Sequence, residues 1–200
     1  RVAPRGLYTS GRGSTAAGLT AAVVRDTNGI FMLEAGATVL GDQGLVCIDE
    51  FDKMKAEDRS ALHEVMEQQT ASISKGGIVA TLNARTSILA AANPMFGKYD
   101  PFKNITENVN LPVPLLTRFD LIFVVRDKPS KERDTQIAKH IINLHTPSGI
   151  DKKSQIDSET LTKYLAYVKR INPILTKEAE EKILDYYMKM RNVEAEEMIT

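Results

Sequence analysis

One cysteine, Cys47, is all that the chain contains. That excludes an internal disulfide and any metal site built from several thiolates, and it suits a reducing interior. Charge of one sign is lacking too: Lys plus Arg total 26 and Asp plus Glu total 26, for a formal net charge of zero. The balance holds in each half, with 10 basic and 11 acidic side chains in residues 1–100 and 16 and 15 in residues 101–200. A histone-like basic protein and an acidic tail are therefore excluded, although a local basic element is not. No apolar run exceeds five residues (Ile88–Ala92, Leu121–Val125), far short of a membrane span. The opening Arg1-Val2-Ala3-Pro4 is no secretory signal and carries no methionine, so the chain reads as beginning within a longer protein. Repeats and low-complexity tracts are missing as well. What the chain does have is an apolar fraction of 42% over 200 residues, enough for a real core at single-domain length.

Strand-like and helix-like patterns alternate over the first two thirds. Gly6-Leu7-Tyr8-Thr9 reads as a short strand, and Ser14 to Leu19 as a helix start capped by Ser14 or Thr15. Ala21–Arg25 and Ile30–Leu33 flank Asp26-Thr27-Asn28-Gly29, a hairpin signal because the tight turn needs positive φ. Leu45-Val46-Cys47-Ile48 has the continuous apolar character of a strand buried on both faces of a parallel sheet. Ala56–Gln69 is helical, with Leu62, Val65, Met66 and Gln69 on one side. In a second hairpin, Ala71, Ile73, Ile78, Ala80 and Leu82 alternate with Ser72, Ser74, Val79, Thr81 and Asn83 about Lys75-Gly76-Gly77. Ser87–Ala92 and Leu121–Val125 are two further buried-strand candidates, separated by a loop-rich stretch with four prolines.

After Lys128-Pro129 the pattern turns to helices alone: Ser130–Leu144 capped by Ser130, then Ser158–Arg170, then Thr176–Arg191. Leu161, Leu165 and Val168 are expected inward on the second, and Ala179, Ile183, Tyr187 and Met190 on the third. Tyr164, Tyr167, Tyr186 and Tyr187 lie at core spacing, and nothing marks them as base-stacking residues. Thr146–Gln155 is a polar linker. The change places a boundary between an α/β part and an α-helical part near Pro129.

The residues richest in chemistry follow the buried strand. Asp49 and Glu50 close an apolar run, which would hold both carboxylates at the carboxyl edge of a parallel sheet, where ligands bind. In a Walker B arrangement the Asp holds a hydrated Mg²⁺ and the Glu polarises a water for attack on a γ-phosphate. A strand followed by an ordinary charged loop is the competing reading. Ile48-Asp49-Glu50-Phe51-Asp52-Lys53-Met54 and Leu115-Leu116-Thr117-Arg118-Phe119-Asp120-Leu121 resemble motifs of the minichromosome maintenance (MCM) replicative helicase family. Ser14-Thr15-Ala16-Ala17-Gly18-Leu19-Thr20, Glu67-Gln68-Gln69 and Ala91-Ala92-Asn93-Pro94 match further blocks in the same order. The matches cover roughly the first 125 residues.

The resemblance implies an AAA+ P-loop NTPase core over residues 1–128, a parallel sheet with helices on both faces and two inserted β-hairpins. A helix-2 insert would span about 20–41 and a pre-sensor 1 hairpin about 70–86, and residues 129–200 would be an incomplete α-helical lid. It assigns Asp49 and Glu50 to the Walker B pair, with ATP and Mg²⁺ as cofactors and Asp49 reaching the metal through water. Asn93 would be sensor 1, an amide on the γ-phosphate or attacking water; otherwise it is a turn-former before Pro94. Arg118 would be an arginine finger reaching a neighbouring subunit's site in a hexameric ring; otherwise it pairs locally with Asp120. Gln68 would act across the same interface. His63 lies one helical turn before Glu67, and a surface or core role competes for both.

Lys75 would touch DNA in the central channel without sequence preference. Its physical support is the absence of any acidic residue from Gln68 to Tyr99, where Lys75, Arg85 and Lys98 occur. The alternative is a lysine guarding an exposed edge. In the helix-2 insert Arg25 is the only basic residue, balanced by Asp26 and Glu34, which suits a moving or coupling element. The family implies an intracellular, chromosome-associated protein without membrane contact, and archaeal members suggest a single-type ring.

One departure stands out. The phosphate-loop pattern Gly-x-x-x-x-Gly-Lys-Ser/Thr is missing from these residues, and the only Gly-Lys pair, Gly97-Lys98, is followed by Tyr99. The resemblance places that loop upstream of Arg1 and the second-sensor arginine beyond Thr200, so these residues alone are expected to bind ATP weakly or not at all. A catalytically inactive DNA-binding or ring-assembly module, and a related helix-2-insert ATPase that remodels proteins, are the alternatives. Phe51-Asp52-Lys53-Met54, Arg118-Phe119-Asp120-Leu121 and Lys75 favour the helicase motor.

Overall fold

The structure, a computed structural model, describes residues 3, 5–127, 129–145 and 156–193. The chain forms two compact units, Arg1–Thr162 and Lys163–Thr200.

The first unit is built on a parallel sheet of β1 (Gly6–Ser10), β4 (Leu45–Asp49) and β7 (Ser87–Ala90), in the order β1-β4-β7. The two connections that return the chain in parallel each carry a helix and an antiparallel hairpin. Between β1 and β4 run α1 (Ala16–Leu19), the hairpin β2 (Ala21–Arg25)–β3 (Phe31–Ala35) and α2 (Ala37–Leu40). Between β4 and β7 run α3 (Ala56–Gln68) and the hairpin β5 (Thr70–Lys75)–β6 (Ile78–Asn83). This is the expected α/β fold with two inserted hairpins.

Local chemistry explains the elements. Thr15, rather than Ser14, caps α1, its hydroxyl accepting from Gly18 N–H at 3.2 Å. Asp58 of α3, buried, accepts from the backbone N–H of Ala16 and so ties α1 to α3. Gly29 turns the first hairpin with φ +78°, and Gly76 and Gly77 turn the second with φ +61° and +77°. α3 ends at Gln69 in the left-handed region (φ 56°), its N–H bonded to the Val65 carbonyl.

The main core joins Val46 and Ile48 of β4 to Leu19, Phe51, Met54, Leu62, Leu111 and Leu115. Phe119 meets Phe51 edge-on, with ring centroids 5.8 Å apart. A smaller cluster of Val65, Ala71 and Ala84 seats the base of the second hairpin. The loop-rich stretch folds into two single-turn helices, α4 (Ile105–Asn108) and α5 (Val113–Leu116), the former closed by a capping box of Asn104 and Glu107.

Two expectations fail. Leu121–Val125 is not a strand: it pairs with nothing among the described residues, and Phe123 and Val125 are 80% and 92% exposed. An apolar run becomes a strand only when an edge receives its hydrogen bonds. β7, bonded to β4 on one side, has no second partner among the described residues.

The helices α6 (Lys131–His145), α7 (Ser158–Val168) and α8 (Lys177–Val193) form where expected. Their apolar faces are not buried as expected: Leu161, Leu165 and Ala179 are half-buried, but Val168, Ile183, Tyr187 and Met190 are exposed. Tyr164, Tyr167 and Tyr186 are exposed too. Periodicity says that one face is apolar, not what covers it. Asp157 caps α7, accepting from Thr160 N–H at 2.8 Å. The Thr146–Gln155 linker lies outside the described residues. Among the described residues no helix is long and apolar enough to cross a membrane.

Candidate functional site

β4 delivers Asp49 and Glu50 to the carboxyl edge of the sheet, between β1 and β7. Parallel register sets Ser10 opposite Asp49, so the end of β1 supplies polar neighbours for both carboxylates. Ser10 Oγ donates to Glu50 Oε2 at 3.2 Å, and Tyr8 Oη donates to Asp49 Oδ2 at 3.2 Å. The bonded Asp49 carboxylate raises the Tyr8 phenol above its ordinary pKa. Asp49 Oδ1 accepts from the backbone N–H of Glu50 at 2.8 Å.

Glu50 itself is left-handed, with φ 49° and ψ 41°. A non-glycine residue there carries a conformational cost of order 1 kcal/mol. The turn swings the chain from β4 into the 3-10 turn Phe51–Lys53, and buried Phe51 anchors it.

Gly11 closes this corner from the other side. Its N–H donates to the Asp49 carbonyl at 2.7 Å, and a Cβ there would lie 2.7 Å from the Glu50 carbonyl oxygen and from Met54 Cγ. No side chain fits without moving the carboxylate-bearing segment. Gly11→Ala is expected to cost roughly 1–3 kcal/mol by overpacking, read by chemical denaturation. A stability equal to the parent would show that the corner yields freely.

Asn93 lies just past β7, exposed. Its backbone N–H donates to Asp52 Oδ1 at 3.0 Å, and Asp52 also pairs with Lys53 at 3.0 Å. Burial alone would raise the Asp52 pKa, but the Asn93 N–H and the Lys53 ammonium outweigh it and hold the carboxyl below its ordinary value. Phe51 N–H bonds the Ala91 carbonyl at 2.9 Å. The structure thus brings Asp49, Glu50 and the Asn93 backbone to one edge.

Arg118 and Gln68 are elsewhere. Gln68 ends α3, about 18 Å along the helix from Ala56 at 1.5 Å per residue. Arg118 pairs there with Glu67, Nη2 to Oε1 at 2.9 Å, both side chains partly exposed. Its partner is therefore Glu67 rather than Asp120, the local partner of the competing reading. Glu67 also lies 3.9 Å from His63 Nδ1. The first turn of α3 is tied to the segment after the carboxylates by Arg59, whose Nη2 donates to the Asp52 carbonyl at 2.8 Å, and the other end of α3 holds Gln68 and, through Glu67, Arg118.

Lys75 stands exposed at the end of β5 beside Gly76. One element of its expected surroundings changes: Arg85 is engaged by Asp42, with Nη2 to Oδ2 at 2.8 Å and Nε to Oδ1 at 3.0 Å. The Arg85 guanidinium holds the Asp42 carboxyl below its ordinary pKa. Its charge is thereby compensated at the base of the hairpin.

Asp49 offers acceptor-only oxygens at an exposed edge, the donor chemistry of a hard cation. Among the described residues no group of three or more His, Cys, Asp or Glu could hold a metal. The single Asp49 carboxylate fits a cation such as Mg²⁺, which takes one or two carboxylates and keeps water and phosphate oxygens as its other ligands.

Sequence reasoning missed Ser10, Tyr8, Gly11 and the Glu67 partner. The signal for Ser10 and Tyr8 was the alignment of two parallel strands, which needs their register.

The family description "MCM P-loop domain" matches residues 1–145, and "MCM AAA-lid domain" matches residues 159–200. The minichromosome maintenance protein MCM of Saccharolobus solfataricus is 52% identical over 198 residues, 98% of this chain and 28% of that protein. The DNA replication licensing factor MCM4 of Arabidopsis thaliana is 52% identical over 96% of this chain and 23% of its own length. The DNA replication licensing factor mcm7 of Xenopus tropicalis is 48% identical over 96% of this chain and 27% of its own. The chain thus spans about a quarter of the length of these curated relatives.

Proposed function

The chain belongs to the MCM family, and from that premise we propose that it is part of the motor of an ATP-dependent replicative DNA helicase that works as a hexameric ring. The observation that carries the reading is the pair Asp49 and Glu50 at the carboxyl edge of the parallel sheet, each held by a side chain of β1. Asp49 would hold Mg²⁺, which when bound would neutralise charge on the phosphates of ATP. Glu50, placed by the Ser10 hydroxyl, accepts the proton of the attacking water. Asn93, whose backbone is tied to Asp52, presents its amide to the γ-phosphate or to that water.

Arg118 and Gln68 serve the neighbouring subunit's site. The support is their distance along α3 from the carboxylate edge, because a head-to-tail ring sets one subunit's far end against the next one's near edge. Residues 1–128 form the core in this reading and 129–200 the lid. The protein works inside the cell on chromosomal DNA, with Lys75 meeting its phosphates in the channel.

Lys75→Ala in the full-length protein tests the DNA contact. Binding is expected to weaken alike on all sequences, and the slope of log affinity against log salt to fall by about one for each engaged subunit. A slope equal to the parent's would remove Lys75 from the contact.

A further inference from the structure

The turn that carries Lys75 is braced from outside its own hairpin. Gly76 and Gly77 connect β5 to β6, both at positive φ, as a two-residue turn requires. Their surroundings differ. A Cβ on Gly77 would meet nothing within 4 Å, whereas on Gly76 it would lie 3.3 and 3.4 Å from Cδ1 and Cε1 of Phe31 and 3.4 Å from Cγ1 of Val23. Gly76 therefore rests against the Phe31 ring, and a Cβ there would have to push the ring aside by a few tenths of an ångström.

Phe31 belongs to the other hairpin. It opens β3 opposite Arg25, the last residue of β2. The Arg25 guanidinium lies 5.0 Å from the ring centroid and donates through Nε to the Gly29 carbonyl at 3.2 Å. Arg25 thus holds the ring from its own hairpin, while Gly76 sits against it from the other. β2 and β5 also approach each other directly.

We propose that Phe31 is a positioning residue for Lys75, its ring being the seat that sets where the lysine meets a nucleic-acid phosphate. The inference rests on the reading of Lys75 as a phosphate contact. A two-stranded ribbon is marginally stable by itself, and a lysine on a swinging tip loses its freedom on binding. A turn seated on an aromatic ring has surrendered much of that freedom beforehand, so the contact costs less entropy. The seat also links the hairpins: moving β2–β3 moves Lys75.

The test is salt-dependent DNA affinity of the full-length protein carrying Phe31→Ala, Lys75→Ala, both together, and Phe31→Tyr. Phe31→Ala is expected to weaken binding and lower the salt slope in the same sense as Lys75→Ala, and to add nothing when Lys75 is already alanine. Phe31→Tyr, which keeps the ring, retains parental binding. A second pair guards against misfolding, because asparagine accepts left-handed backbone. Gly76→Asn crowds Phe31 and weakens binding, Gly77→Asn does not, and adding Phe31→Ala to Gly76→Asn weakens binding no further than Phe31→Ala alone. The proposal is overturned if the Phe31→Ala loss is undiminished on the Lys75→Ala background. It is overturned equally if Phe31→Ala and Gly76→Asn bind like the parent while Lys75→Ala is impaired. A parental salt slope for Lys75→Ala itself removes the phosphate contact, and the seat loses its purpose with it.

Discussion

Arg118→Ala in the full-length assembly is expected to lower ATP turnover by about 10³–10⁵-fold, the range associated with an arginine finger. Misfolding does not account for a loss of that size. The Arg118–Glu67 pair is partly exposed on both sides, and such pairs contribute about 0–1 kcal/mol. The segment is held by buried Leu115 and by the edge-on contact of Phe119 with Phe51, neither of which the substitution touches. Arg118→Lys is expected to recover little, because a point charge cannot reproduce a planar fork over several phosphate oxygens.

The decisive form of the experiment mixes subunits. A subunit with Arg118→Ala still owns Glu50, and one with Glu50→Gln still owns Arg118. If the arginine acts across the interface, mixed rings contain junctions where an intact Glu50 faces an intact Arg118, and turnover reappears. Mixtures as inactive as either variant alone would return Arg118 to a role within its own subunit, alongside Glu67.

Glu50→Gln in the full-length protein is expected to lower turnover by about 10²–10⁴-fold, the contribution of a positioned general base, while nucleotide binding persists. The change is nearly isosteric. The amide oxygen can still accept from Ser10, so the left-handed corner and its Phe51 anchor remain. What disappears is the capacity to take a proton. Turnover close to the parental rate, with binding intact, would remove Glu50 from that role. Loss of binding in equal measure would instead mark it as a structural neighbour of the phosphates.

Much of the fold was legible because its signals are local. The Asn28-Gly29 and Gly76-Gly77 turns need positive φ, which few residues supply, and both hairpins formed around them. The apolar run Leu45–Ile48 ending in carboxylates became the central strand of the sheet. Leu121–Val125 shows the limit of the same reasoning. Its composition matches that of β4, but a strand also needs hydrogen bonds from a neighbouring edge, and this run pairs with none of the described strands, not even the open edge of β7. Arg85 was legible as a cation, not as one already claimed by Asp42 across 43 residues of chain.

By itself the sequence determined the residue types at the carboxylate edge, the turns and the alternation of the two hairpins, all set by neighbours a few positions apart. Only the tertiary structure decided which polar groups meet. Ser10 reaches Glu50 across 40 residues and Tyr8 reaches Asp49 across 41, because parallel register lays β1 beside β4. Arg118 chooses Glu67 at 51 residues' distance over Asp120 next door, because α5 and its buried Leu115 bring it to the end of α3. Gly76 rests on Phe31 because two hairpins, each legible alone, approach each other. Such meetings depend on how rigid elements are laid together by a shared core, a property of the whole packing that no short window of residues encodes.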